Sequence, residues 1–248
     1  MKQNEILLNF PPNGNGYAHR NGHESTCCQN HKCESIADEL DQEHISTSCH
    51  TPLRPDAFAL DDETKIKLIQ EHFRCIMEIL GLDLTDDSLR GTPQRVAKMY
   101  VKEIFSGLNP ANKPVIKLFD NKFKYGEMLV ERNITFYSNC EHHFVPIFGK
   151  AHVGYISSGK VIGLSKLNRI VQYFARRPQV QERLTNQIAL ELQQVLQTED
   201  VAVVLDAVHM CVSSRGVQDV HSTTVTSFYG GKFRQEAVKN EFLKHIYS

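Results

Sequence analysis

Two short segments carry residue types that bind transition metals. The first is Cys140-Glu141-His142-His143, and the second is His209-Met210-Cys211. Cys140, His143 and Cys211 would make a set of two thiolates and one imidazole, which leaves the fourth tetrahedral position open, as in catalytic zinc sites. Each residue alone is equally well interpreted as a small buried side chain or a hydrogen-bonded histidine. The segments lie far apart in the chain, so the sequence cannot show that they meet.

A second group of residues can bind an anion that contains phosphate. Ser165, Lys166 and Arg169 lie in the first turns of a predicted helix, where the helix N-terminus adds positive potential. Arg215 follows the second metal segment, and Arg95 lies in an earlier predicted helix. Together these cations can bind a triphosphate, although each alone is well explained as a solvated surface charge. The sequence has no Gly-x-x-x-x-Gly-Lys-Ser/Thr segment, which excludes a P-loop protein.

Gln181 and Glu182 offer a way to recognise a purine base. A carboxylate can accept two hydrogen bonds from N1–H and the 2-amino group of guanine, an edge that adenine lacks. Leaving a buried carboxylate unpaired is costly, so such a contact discriminates sharply between bases. Without this context, Glu182 would be interpreted as a residue on a helix surface.

The elements that must position these residues follow a mixed pattern. Helical periodicity begins at Asp61 and stops at Gly81, and a second helix begins at Thr92-Pro93 with Thr92 as its N-cap. Strands are predicted at 128–137, 144–156, 201–212 and 223–229, and further helices at 165–176, 178–197 and 233–247. If 201–212 is one strand, His209 and Cys211 point to the same face. We predict an α+β fold with an N-terminal helical segment and an antiparallel sheet whose helices pack on one face.

Composition limits the classes of protein that this chain can represent. Hydrophobic residues make up 41%, which is ordinary for a globular protein. The net charge is −1, so the chain has no overall positive charge that would attract nucleic acid or an anionic membrane. Because the chain shows neither a signal peptide nor 18 consecutive apolar residues, we expect a cytoplasmic protein without a membrane partner. Seven cysteines, an odd number, favour reduced thiols over a disulfide framework.

The first part of the chain has the composition of a tail. Residues 1–55 are polar and show no sustained apolar period, so we predict a disordered extension before a domain at 56–248. That domain is expected to comprise a helical segment at 56–110 and a core at 111–248. Cys27, Cys28, Cys33 and Cys49, with five histidines in the same stretch, leave open a metal-binding role for the tail.

Several segments together resemble the signature segments of the GTP cyclohydrolase I family. They are Cys140-Glu-His-His143, Gly163-Leu-Ser-Lys-Leu-Asn-Arg169, Arg177-Pro-Gln-Val-Gln-Glu-Arg183 and His209-x-Cys-Val-x-x-Arg-Gly216. Residues 92–100 and 103–107 resemble the N-terminal helical part of that family. The likeness covers about residues 51–248, in order and with matching spacing.

The resemblance implies a tunnelling fold, in which sheets from several subunits join into a ring barrel, and a toroidal homodecamer with active sites between subunits. It implies one zinc ion per subunit, bound by Cys140, His143 and Cys211. The implied catalytic residues are the acid/base pair His142 and His209, with Glu141 and Ser165 as further candidates. The implied substrate contacts are Gln181 and Glu182 for guanine, and Ser165, Lys166, Arg169 and Arg215 for the ribose triphosphate, joined by Arg95 from a neighbouring subunit.

The activity implied by the resemblance is hydrolysis of GTP with ring opening, release of formate and rearrangement to 7,8-dihydroneopterin triphosphate. The main alternative is a non-catalytic pterin- or nucleotide-binding protein of the same fold, which would be expected to lack a metal ligand or an acid/base histidine. Two others are a nitrile reductase of this fold, which needs a cysteine nucleophile and NADPH, and a structural zinc protein. The last would need a fourth ligand, for which His142 is the close candidate.

Overall fold

A computed structural model describes residues 48–248, and its first part is helical. Helix α1 (Asp62–Ile79) begins where the Asp61 carboxylate accepts a hydrogen bond from Thr64 N–H at 2.7 Å. The chain leaves α1 through Gly81, whose φ of 82° suits glycine. Helices α2 (Asp87–Arg90) and α3 (Thr92–Met99) follow, and a π-helical turn (Tyr100–Ile104) continues α3. The predicted capping role of Thr92 is wrong, because Gly91 holds the N-cap position and Thr92 is already helical.

The sheet begins after two 3₁₀ turns, Ser106–Leu108 and Pro110–Asn112. The strands are β1 (Leu118–Asp120), β2 (Met128–Cys140), β3 (Pro146–Ile156), β4 (Lys160–Ile162), β5 (Pro178–Gln179), β6 (Val201–His209) and β7 (Thr224–Tyr229). Five of them form the main sheet in the order β5-β2-β3-β6-β7, while β1 and β4 pair separately. Pairing is antiparallel except between β2 and β5, which run parallel over two residue pairs. The predicted α+β class with an N-terminal helical segment is confirmed.

Helices cover both faces of this sheet, and the expectation of helices on one face is wrong. Helices α4 (Leu164–Ala175) and α5 (Gln181–Leu196) cover one face, α4 against β2 and α5 against β6, and share an apolar cluster with one set of alternating β6 residues, which includes Val203 and Leu205. The other set, Ala202 and Val204, packs against Phe233 and helix α7 (Glu236–Tyr247). Both sets are apolar because β6 is buried on its two faces.

Strand β6 ends earlier than the sequence indicates. Its last pair with β3 joins Ile147 to His209, and residues Met210–Ser213 form a short helix, α6. Ser214 N–H donates to Met210 O at 2.9 Å within that turn. The prediction of a strand through residue 212 is therefore wrong, and alternation along a strand does not explain how His209 and Cys211 are oriented.

Part of the predicted N-terminal extension lies within the described range. Arg183 Nε donates to the Ser48 carbonyl at 2.7 Å, and the Thr51 hydroxyl accepts from Arg177 and Gln187 at 3.4 Å each. Cys49 is an exposed free thiol. The other three tail cysteines, Cys27, Cys28 and Cys33, lie outside the described residues. Across 48–248, no helix has the length and apolar character needed to cross a membrane.

Candidate active site

The turn after β2 brings Cys140 and His143 together. Cys140 N–H donates to Val145 O and Phe144 N–H donates to Cys140 O, at 2.8 Å each, so the chain reverses within a few residues. In this turn the Cys140 Sγ atom lies 3.7 Å from Nδ1 of His143 and 3.7 Å from Nδ1 of His142. Cys140 is buried at 5% exposure, whereas both histidines are exposed. The thiol is thus held at the base of an accessible pair of imidazoles.

Cys211 joins this turn from helix α6. One ligand atom from each of Cys140, His143 and Cys211 lies within 4.8 Å of the others, and this three-residue group does not include His142. Burial, reinforced by the neighbouring Cys140 thiol, raises the pKa of the Cys211 thiol. A cation bound between the thiols would favour their ionised forms. Two thiols and one imidazole are the donor set of a catalytic zinc centre, so these residues fit that ion.

Glu141 is engaged in an ion pair within the same turn. Its carboxylate forms a bidentate pair with Arg183 of α5, with Nη1 donating to Oε2 and Nη2 to Oε1. The Arg183 side chain is 2% exposed and that of Glu141 15% exposed. Glu141 N–H also donates to Gln179 O of β5 at 3.0 Å. The turn is therefore tied to the start of α5 through both the backbone and a buried charge pair.

His209, at the end of β6, contacts Gln181 at the start of α5. Its Nε2 atom lies 2.7 Å from Gln181 Oε1. Burial lowers the pKa of His209, against the opposing effect of the Glu182 carboxylate. With this lowered pKa, the His209 ring stays neutral to a lower pH than an ordinary histidine does. Gln181 is 2% exposed, while Glu182 projects into solvent from the first helical turn.

Ser165, Lys166 and Arg169 lie near the opposite end of β2 from the metal ligands. Helix α4 runs alongside β2: Asn168 Nδ2 donates to Glu131 Oε1, and Gln172 Nε2 to Thr135 O, at 3.2 and 2.6 Å. Nine residue steps separate Glu131 from Cys140. At about 3.3 Å per step, and with a β-bulge between Glu131 and Ile134, they span roughly 25–30 Å. The structure therefore does not bring these three residues to Cys140 within one chain.

The two remaining basic candidates also differ in position. Arg215 lies at the metal group, with Nη1 3.0 Å from Nε2 of His143. Arg95 on α3 is exposed, and its guanidinium contacts Thr92 Oγ1 at 2.9 Å and Ser88 O at 3.3 Å. Both contacts lie within the N-terminal helical segment of the same chain.

Sequence reasoning missed the role of Arg183. This residue stands in one of the quoted segments, but a charged side chain at the border of the apolar stripe of α5 is ordinarily exposed. Its burial follows from the position of Glu141, which local periodicity does not reveal. The sequence offered one signal for this pair: Glu141 and Arg183 stand in two of the quoted segments and carry opposite charges.

Comparison with known proteins gives a consistent family. A model of the family described as GTP cyclohydrolase I matches residues 69–247. GTP cyclohydrolase 1 of Flavobacterium johnsoniae is 62% identical over 213 residues, which cover 86% of this chain and 96% of that protein. GTP cyclohydrolase 1 of Escherichia coli strain K12 is 55% identical over 203 residues, covering 82% of this chain and 91% of that protein. The resemblance seen in the motifs is confirmed, and the chain belongs to the GTP cyclohydrolase I family.

Proposed function

We propose that this chain is a zinc-dependent GTP cyclohydrolase I. It hydrolyses GTP, opens the imidazole ring of guanine, releases C8 as formate and forms 7,8-dihydroneopterin triphosphate. The observation that carries the proposal is the convergence of Cys140, His143 and Cys211, with His209 two residues before the last of them. The high identity to two proteins named GTP cyclohydrolase 1 supports the same activity.

In this proposal the thiols of Cys140 and Cys211 and the His143 imidazole bind one zinc ion in each subunit. When bound, zinc supplies a Lewis acid that activates water near neutral pH. A structural zinc centre is less well supported, because the three-residue group among residues 48–248 lacks the fourth protein ligand that closed sites use. An open fourth position is what hydrolysis needs.

His209 and His142 are proposed to move protons during the reaction. Protonation at N7 of guanine makes C8 electrophilic, and histidine suits this exchange because its ordinary pKa is close to working pH. The lowered pKa of His209 favours a neutral ring that can accept a proton. Glu141 is better assigned to holding the turn than to proton transfer, because both of its carboxylate oxygens contact Arg183.

Guanine is proposed to bind at the start of α5, where Glu182 is exposed. No side chain caps this helix end, so its first N–H groups remain available in addition to the carboxylate. Glu182 accepts from N1–H and the 2-amino group, and adenine offers no equivalent donors. The site should therefore distinguish GTP from ATP.

The triphosphate site is proposed to be completed by neighbouring subunits. Ser165, Lys166 and Arg169 lie on the helix that runs beside the part of β2 far from Cys140, up to roughly 25–30 Å along the strand, a distance longer than one GTP molecule needs to span its base and phosphates. A second copy can bring its α4 N-terminus to the metal turn, with Arg95 also supplied across an interface. Arg215 would act within the chain that binds the metal.

The sheet edges support such an assembly. Within residues 48–248, β7 pairs only with β6, and β2 pairs with β5 over only two residue pairs. Open edges expose backbone donors and acceptors that a second copy can satisfy. Edge-to-edge joining of sheets would give the ring barrel, and the toroidal homodecamer remains our proposal for its closed form.

One incubation tests the activity. Purified full-length protein with GTP should release formate and give a product that fluoresces as a pterin after oxidation, and ATP should give neither. Removing metal with a chelator should abolish both signals, and adding zinc should restore them. Binding of GTP or a pterin without formate release, by protein shown to contain zinc, would favour the alternative of a non-catalytic binding protein.

A further inference from the structure

The Gln181 side chain has a fixed amide orientation. Its Nε2 group donates to two backbone carbonyls, Leu205 O of β6 at 3.2 Å and Thr224 O of β7 at 2.8 Å. Turning the amide over would place Oε1 against both carbonyl oxygens and lose both hydrogen bonds. Because Gln181 is 2% exposed, water cannot readily replace those bonds. The oxygen of the amide must therefore face His209.

This orientation determines which nitrogen of His209 carries hydrogen. A carbonyl oxygen accepts and cannot donate, so the 2.7 Å contact requires a hydrogen atom on His209 Nε2. The requirement holds whether the ring is neutral or protonated. In the neutral ring Nδ1 is then the nitrogen without hydrogen, and within residues 48–248 no hydrogen bond occupies it. Since the amide is anchored to two strands, it also restrains where the Nε2 edge of the ring can lie.

We infer that Gln181 is a positioning residue that acts through His209: its amide oxygen holds the ring in the tautomer with hydrogen on Nε2 and directs the Nδ1 edge away from the amide. This rests on the proposed function, in which His209 is an acid/base residue. It differs from the guanine contact that the family resemblance implies for this side chain, since all three of its polar partners are already within the chain. Recognition of the guanine edge by a side chain at this helix end is left to Glu182.

Steady-state kinetics separates positioning from substrate binding. Gln181→Met keeps the length of the side chain and removes its polar groups. If Gln181 acts through His209, kcat for formate release should fall about tenfold or more while KM for GTP changes less than about twofold. A rise in KM with kcat preserved would instead make Gln181 a guanine ligand and overturn the inference.

A matched variant controls for damage to the same packing layer. Thr185→Val removes a buried hydroxyl that donates to Gln181 O and contacts Thr226 Oγ1, between the same helix and β7. It leaves the Gln181 amide and His209 untouched. This control should lower thermal stability without the selective loss of kcat, and an equal loss of kcat in both variants would overturn the inference.

Two further measurements make the dependence on His209 explicit. Adding Gln181→Met to His209→Ala should change kcat less than about twofold, because a residue that acts through His209 has no effect without it; a multiplicative loss would contradict this. In addition, ¹⁵N NMR of histidine-labelled resting protein, with the His209 signal assigned by difference from His209→Ala, should show hydrogen on Nε2. Hydrogen on Nδ1 would refute the tautomer assignment. This spectrum needs no turnover. It therefore tests the Gln181 inference even if the protein does not release formate and the proposed function is wrong.

Discussion

Replacing Arg183 with methionine tests how far the metal-binding turn depends on a buried ion pair. The guanidinium is 2% exposed and contacts both carboxylate oxygens of Glu141. Methionine fills similar space but leaves that carboxylate, 15% exposed, without its cation. It also removes the donor to the Ser48 carbonyl. The substitution therefore leaves the Glu141 carboxylate unpaired next to Cys140 while keeping most of the packing.

The expected loss follows from the burial of the pair. Removing one member of a buried ion pair costs about 3–5 kcal/mol, and the partial exposure of Glu141 places this case near 3 kcal/mol. For a domain of this size each kcal/mol lowers Tm by about 2–4 °C, so Arg183→Met should melt about 6–12 °C below wild type. The double variant Arg183→Met/Glu141→Met should recover more than half of that loss, because no unpaired charge remains.

Calorimetry at one fixed protein concentration is the assay, since assembly makes Tm depend on concentration. Lys102→Met is the control, because Lys102 pairs with Asp62 at 2.8 Å on the surface, with exposures of 47% and 32%. That variant should lose less than about 1 kcal/mol. The reasoning is refuted if Arg183→Met loses no more than the surface control, or if the double variant is less stable than Arg183→Met alone.

Four other outcomes are expected. Cys211→Ser should lose zinc by elemental analysis and lose formate release while keeping its oligomer mass; full zinc occupancy would remove Cys211 from the site. Glu182→Gln should lower kcat/KM for GTP at least about a hundredfold, because the amide cannot accept both hydrogen bonds; a near wild-type value would exclude this guanine contact. Lys166→Ala and His209→Ala subunits, each with only residual activity alone, should regain about a quarter of wild-type activity when co-assembled at equal amounts, if each site draws these two residues from different subunits. Mixed oligomers that stay inactive would mean that one subunit supplies both. Burial lowers the pKa of His152 below its ordinary 6.5, so the unfolded state binds more protons and stability falls as pH drops below about 6.5. His152→Leu should show a shallower fall of Tm between about pH 7 and pH 5, and an unchanged slope would contradict the assignment.

Local sequence pattern predicted most of the elements in this protein. The helix that starts after Asp61 and leaves through Gly81, the strand predicted at 128–137 and the terminal helix all follow from caps and periodicity, although that strand continues to Cys140. The metal-binding residue types were also evident, because two thiols and an imidazole are chemically distinctive. These features depend on residues close together in the chain, which is why one sequence suffices for them.

Packing of distant segments decided the rest. The run at Val201–Leu205 is apolar at every position, and only the placement of α7 shows that both faces of β6 are covered. The end of β6 at His209 depends on where β3 begins, because Ile147 pairs with His209, so Cys211 reaches the metal group from a helical turn. The direction of α4 along β2 separates Lys166 from Cys140, although their motifs suggest one site. Periodicity specifies which faces are apolar, whereas the contacts between faces arise from long-range packing that no local pattern encodes.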